Sequence, residues 1–239
     1  MKSKQNQSLQ WLAESALMLA AATVLSEFIK IPLPFGGSIT VFGQVPLLLI
    51  AYRCGLKRGL FTSLCFGLIQ VLFGVTSTFV YLLPESTQGL AGSALLLVYV
   101  KSALTILFVA LADYLLAFGS LALGGLFRGR FSAQSVTRNA QRRELVLGAA
   151  VAGLVRFLCH FISGVTVWRS YASAEFFEPV PAMEKFVATF SGNTLVLVYS
   201  FLYNLIYMLP ETLMCVFALL FLGSVLNLRH PQLKFPAAT

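Results

Sequence analysis

The feature that most constrains this chain is a series of long apolar tracts interrupted by short basic segments. The tracts cover roughly residues 9–29, 38–52, 59–83, 91–127, 145–168 and 194–226. A helix needs about 20 apolar residues to cross the hydrocarbon core of a bilayer. Five tracts meet that length; the second, "SITVFGQVPLLLIAY", is short. Of 239 residues, 58% are hydrophobic and 11% charged, with mean hydropathy +0.83. Soluble domains carry about 25% charged residues, so this chain cannot coat a water-soluble globule with polar groups. It reads as an all-α integral membrane protein, a single membrane domain over residues 1–239.

The placement of Lys and Arg orients the tracts, because short cytoplasmic loops carry the excess of both. Lys2 and Lys4 precede the first tract, and Arg53, Lys57 and Arg58 separate the second from the third. Arg128, Arg130, Arg138, Arg142 and Arg143 lie between the fourth and fifth, and Arg229 and Lys234 follow the sixth. The alternate loops hold Glu85, Glu175, Glu178 and Glu184, with Lys30, Arg169 and Lys185 as their cations. Six transmembrane helices with both termini cytoplasmic satisfy this pattern, and the short second tract is read as a span because the parity of the loops requires one. The net charge of +8 is then a consequence of topology, and no nucleic-acid partner is needed. A signal peptide is the competing reading of the first tract, but no clear A-x-A cleavage site follows it.

Several chemistries are not supported. Cys54, Cys65, Cys159 and Cys215 are scattered and form no C-x-x-C pair, so neither a metal site nor a disulfide framework is expected. They read as small buried apolar residues. The phosphate-cradling motif G-x-x-x-x-G-K-[ST] is absent, so any ATPase that drives this protein lies on another chain. There is no H-E-x-x-H and no nucleophile in a recognisable relation to a histidine, so no catalytic residue is assigned. The stretch 128–143 reads as a solvated basic linker. The outward segments 75–94 and 169–193 are long enough to fold over the outer face.

Ionisable residues inside spans are costly and mark functional sites by default. Asp113, Arg156, His160 and Glu211 are the candidates, with Lys101 nearer the outer end of its tract. Asp113 reads either as a ligand-binding acid or as a carboxyl that is neutralised by burial or paired with Arg156. Arg156 and His160 are four residues apart and share a helix face, and Trp168 follows two turns later. In the last tract Tyr199, Tyr203, Tyr207 and Glu211 recur every four residues beside Asn204, with Pro210 placed to bend the helix. Each of these polar groups needs a partner in lipid, so an interior polar cavity is the economical explanation. Aromatic faces, an acid, an imidazole and an amide suit a small planar heterocycle carrying positive charge, for which cation–π contact supplies about 0.5–2 kcal/mol.

The sequence also resembles the thiamine-specific substrate-binding (S) components of energy-coupling factor (ECF) transporters, the ThiT family. The resemblance runs through "ALMLAAATVLS", "GGSITVFGQVPLLLIAYRCGLKRGL", "DYLLAFGSLALGGLF", "RFLCHFISGVTVWRSYA" and "YSFLYNLIYMLPE". The order of these segments carries it, with His and Trp eight apart and Tyr and Asn five apart. It implies the ECF S-component fold, six helices with the vitamin bound near the extracellular face, in a bacterial-type plasma membrane. It also implies ligand contacts from Asp113 and Tyr114, where the family usually has Glu before Tyr. His160 and Trp168 match the helix-five pair, and Tyr199 and Asn204 the helix-six pair. Phe66 corresponds to an aromatic of helix three. An aromatic of the first outer loop has no counterpart, since Gly37 falls there. The stretches from Gly74 to Asp113 and from Trp168 to Tyr199 are both longer than the family pattern.

Ala16 and Ala20 match a small-xxx-small surface on helix one. Small residues four apart let helix backbones approach in lipid. The resemblance implies that this face docks on a transmembrane coupling (T) subunit driven by two ATPase subunits; ordinary packing within the bundle is the alternative. The function expected is a thiamine-binding subunit of an ATP-driven importer, with no cofactor of its own. Two alternatives stand beside it: an S component for a thiamine precursor or another water-soluble vitamin, and an intramembrane enzyme using Asp113, Arg156 and His160.

Overall fold

The computed structural model of the chain describes residues 2–33, 38–84, 86, 88–130 and 137–228. Its apolar tracts are helical, as lipid requires of segments that must pair their own backbone groups. Helix α1 (Lys2–Phe28) leads into an antiparallel hairpin of β1 (Lys30–Pro32) and β2 (Ser38–Thr40), with Lys30 opposite Thr40. Helices α2 (Val45–Cys54) and α3 (Leu56–Ser77) follow. They are separated by Gly55 alone, whose φ of 88° lies where glycine is favoured. Then come α4 (Gly92–Gly125), α5 (Arg138–Thr166), the short α6 (Pro181–Val187) and α7 (Gly192–Val225).

Five of these helices are long and apolar enough to cross a membrane, in α1, α3, α4, α5 and α7. The second tract departs from its expected form. Residues 38–40, read as the start of a helix over 38–52, pair as strand β2, and the helix begins at Val45 with Pro46 in its first turn. The Pro- and Gly-rich sequence just before Ser38 has low helix propensity, which favours strand pairing over helix for residues 38–40. At about 1.5 Å per residue, α2 reaches about half the thickness of the hydrocarbon core. All of its residues except Arg53 are buried, so α2 is surrounded by protein and not by lipid.

The end of the bundle that bears the basic loops is closely packed. Leu47 and Tyr52 of α2, Phe66 of α3, Leu121 of α4, Leu145 of α5 and Leu219 of α7 form its core. A Cβ on Gly148 would lie 2.5 Å from the carbonyl oxygen of Gly124, so α4 and α5 meet backbone to backbone there. Several buried polar groups in this half pair across helices. The Tyr52 hydroxyl donates to Glu144 (2.7 Å). Gln141 Nε2 donates to the carbonyls of Gly223 and Leu226 and its Oε1 accepts from the Leu228 N–H, which satisfies the end of α7. Arg53 of α2 pairs with Glu14 of α1 at 3.1 Å. On α1, Ala16 and Ala20 both point away from the bundle and are exposed.

At the opposite end the helices separate around a cavity. Helix α4 loses its regular winding here: residues Ala110–Leu116 form π turns, an irregularity often found at functional sites. The longer outward segments are folded. Short 3₁₀ turns form at Phe79–Leu82, Trp168–Tyr171 and Glu175–Phe177. Phe177 and Val187 bury themselves against Tyr199 of α7. The Tyr171 hydroxyl donates to the Tyr81 carbonyl at 2.9 Å, tying the two outward segments together.

Candidate ligand-binding cavity

The cavity measures about 160 Å³, comparable to an engineered cavity of about 150 Å³ that holds benzene. Helix α3 contributes Gln70, Phe73 and Gly74, α4 contributes Asp113, Tyr114 and Phe118, and α5 contributes Arg156, His160 and Gly164. Trp168 and Tyr171 stand on the 3₁₀ turn after α5, and Ser38 and Thr40 of the hairpin border the cavity from another side. The wall from α7 is Tyr199, Ser200, Tyr203, Asn204 and Tyr207. The spacing of four explains that wall, because residues a helical turn apart share one face.

Asp113 is buried within the π segment. Its Oδ2 accepts from the Ser163 hydroxyl at 2.7 Å, and His160 Nδ1 lies 3.4 Å from its Oδ1. Arg156 is not its ion-pair partner. The guanidinium Nη1 lies 2.6 Å from Glu211 Oε2 instead, with both side chains buried, so the Asp113–Arg156 pairing is replaced by Arg156–Glu211. The guanidinium carbon of Arg156 also lies over the ring of Phe118, 5.1 Å from its centroid. Across the cavity Tyr199 and Tyr203 stack at 5.8 Å, backed by Phe176 and Phe177 of the long outward segment. Asn204 is fixed by its own helix: its Nδ2 donates to the Ser200 carbonyl, and its Oδ1 accepts from the Tyr207 hydroxyl.

Among the described residues, five buried polar atoms of the lining have no hydrogen-bond partner: Gln70 Nε2, Asp113 Oδ1, Arg156 Nε, His160 Nε2 and Ser200 Oγ. Groups of this kind are costly when left unmatched in an apolar surrounding. Together they present donors, at Gln70 and Arg156, and an acceptor, at Asp113, to a ligand. The Ser200 hydroxyl serves either way. Glu211 and Arg156 offset one another, as do the lining residues Glu27 and Lys30, so the Asp113 carboxyl is the acid left to face a cationic ligand. Among the described residues no cluster of His, Cys, Asp and Glu is placed to hold a metal ion.

The structure thus brings together Asp113, Tyr114, His160, Trp168, Tyr199 and Asn204. Phe66 does not join them. It is buried in the core behind Phe118, ring to ring at 5.0 Å, and Phe118 is the aromatic that reaches the cavity. Gly37 lies outside the described residues. Gln70 and Ser163 were not singled out from the sequence. A polar residue within the apolar run "GLIQVLF" was the available signal for the first, and its place three residues after His160 for the second.

A family model described as "Thiamine transporter protein (Thia_YuaJ)" matches residues 12–94 and 86–176, more than half of the chain. The chain belongs to this family. It is 28% identical over 219 residues to the thiamine transporter ThiT of Bacillus subtilis (strain 168), across 90% of this chain and 91% of that protein. A solved structure of ThiT from Listeria monocytogenes matches with a TM-score of 0.60 at 21% identity, covering 91% of this chain and 94% of that one. At that identity the likeness establishes the fold. Membership in a transporter family makes the chain a membrane transport protein and not an enzyme. The intramembrane catalyst considered from Asp113, Arg156 and His160 therefore falls away.

Proposed function

We propose that this chain binds thiamine in the cavity and serves as the substrate-binding subunit of an ATP-driven ECF importer. The observation that carries the reading is the buried Asp113 carboxyl, whose Oδ1 has no hydrogen bond among the described residues, set among the aromatic walls of the cavity. Thiamine is a monocation with an aminopyrimidine and a thiazolium ring. Its amino group can donate to acceptors such as Asp113. Its ring nitrogens can accept from donors such as Gln70 and Arg156, and the tyrosine faces favour its positive ring. Trp168 and Tyr171, on the 3₁₀ turn that follows α5, add further aromatic faces to the lining.

The same reading supplies topology and partners. The chain crosses a bacterial-type plasma membrane six times with both termini cytoplasmic, the hairpin completing the crossing that the short α2 begins. No phosphate-cradling motif is present in the sequence, so the work of release falls to two ATPase subunits. They act through a T subunit docked on the Ala16 and Ala20 face of α1, which is exposed. The test is the identity of the small molecule that co-purifies with the detergent-solubilised protein, read by mass spectrometry of a denatured extract. Thiamine near one equivalent is the expected result. A precursor lacking either ring, or a different vitamin, would overturn the assignment in favour of another ligand.

A further inference from the structure

Glu211 is fully buried and lies below the tyrosine wall of α7. A carboxylate has about four acceptor sites, and here each is filled. Its Oε1 accepts from the Thr40 backbone N–H (2.6 Å) and the Thr40 hydroxyl (2.7 Å). Its Oε2 accepts from Gln44 Nε2 (2.7 Å) and Arg156 Nη1 (2.6 Å). One side chain therefore joins α7, α5, the strand β2 and the residue that precedes α2. All three residues it holds, Thr40, Gln44 and Arg156, line the cavity.

The hairpin depends on this tie. Its two strands are three residues each, β1 is exposed throughout, and an isolated two-stranded hairpin is marginally stable at best. Lys30, Ser38 and Thr40 of the hairpin border the cavity, so its position decides how far that side is closed. Arg156 depends on the tie as well. With Nη1 committed to Glu211, its Nε is the donor left unpartnered on a residue that lines the cavity.

We propose that Glu211 is the positioning residue of the binding site: it holds the hairpin over the cavity and fixes Arg156 with its Nε free, without itself contacting the ligand. The proposal rests on the cavity being the ligand site. Glu211→Gln is nearly isosteric but turns one acceptor into a donor facing the donors of Gln44 and Arg156, so at least one link must break.

The experiment follows two readouts. Hydrogen exchange of the hairpin strands, at Lys30, Ile31 and Ser38–Thr40, is measured in ligand-free protein, and thiamine association and dissociation are measured by stopped-flow fluorescence. In Glu211→Gln, hairpin exchange and the dissociation rate should each rise about tenfold, with association changed by less than about threefold. Thr40→Val, which removes one link and leaves the ion pair intact, should shift both in the same direction by less. Adding Gln44→Glu to Glu211→Gln restores a matched donor and acceptor and should return hairpin exchange toward wild type. Wild-type hairpin exchange in Glu211→Gln would overturn the proposal, as would an equal rise across α5 and α7, which marks general loosening. If Glu211→Gln does not fold, Thr40→Val decides: unchanged exchange at the hairpin overturns the role. Raised hairpin exchange in a protein that binds no thiamine would support the role of Glu211 while removing the thiamine assignment.

Discussion

Replacing Asp113 by Asn isolates the charge of the site with little change of shape. An amide oxygen can still accept from Ser163, whose hydroxyl lies 2.7 Å from the carboxylate. The substitution removes the one cavity carboxyl that no cation offsets, since Glu211 pairs with Arg156 and Glu27 with Lys30. Two unit charges about 4 Å apart interact by about 4 kcal/mol at an effective dielectric constant near 20. Desolvating the carboxylate and the ligand offsets part of this, leaving about 1.5–3 kcal/mol, the range for a charged hydrogen bond. Thiamine affinity should therefore fall by about 10- to 150-fold. Calorimetric titration at fixed ionic strength measures it, with the thermal midpoint as a control for folding. Asp113→Glu keeps the charge and should retain binding. Equal affinity for Asp113→Asn and wild type would refute the assignment of Asp113 as the counter-charge.

The other predictions concern docking, packing and the outer closure. Ala16→Trp or Ala20→Trp should leave thiamine affinity unchanged and abolish both co-purification with the T and ATPase subunits and uptake. Loss of binding in these variants, or normal assembly, would show that the α1 face serves the bundle itself. Gly148→Ala places a methyl against the Gly124 carbonyl, which is backbone and cannot swing aside. It should destabilise the protein by about 1–3 kcal/mol, read by thermal or denaturant unfolding, with less effect on the affinity of the folded fraction. Tyr171→Phe removes the hydroxyl that donates to the Tyr81 carbonyl. Thiamine dissociation should accelerate by about two- to tenfold, the worth of one ordinary hydrogen bond.

Much of this architecture was legible in the sequence because lipid leaves few choices. Runs of apolar residues had to be helices, and the spacing of four from Tyr199 to Tyr207 had to make one face. The polar groups of that face and of α5 do line a cavity. What escaped depends on contacts between distant segments. Thr40 reaches Glu211 across 171 positions, and nothing local to "GGSIT" announces a strand held by a carboxylate on the last helix. Arg156 had two acids within reach of the pattern, Asp113 and Glu211, and helical periodicity does not choose between partners on different helices. Phe66 and Phe118 are similar in kind. Which ring faces the cavity is decided by how α3 and α4 rotate against each other, with Phe66 left beneath. The short α2 was obscured because an apolar run of that length reads alike whether lipid or protein surrounds it.

The central claim, that thiamine occupies this cavity, meets its most direct test in the fluorescence of one side chain. The chain has two tryptophans. Trp11 packs against Phe61 with the Arg58 guanidinium over its ring, while Trp168 lines the cavity. In a Trp11→Phe background, ligand-free protein should show saturable quenching of Trp168 at submicromolar thiamine with a stoichiometry near one. Unchanged emission and no calorimetric heat up to millimolar thiamine would contradict the account.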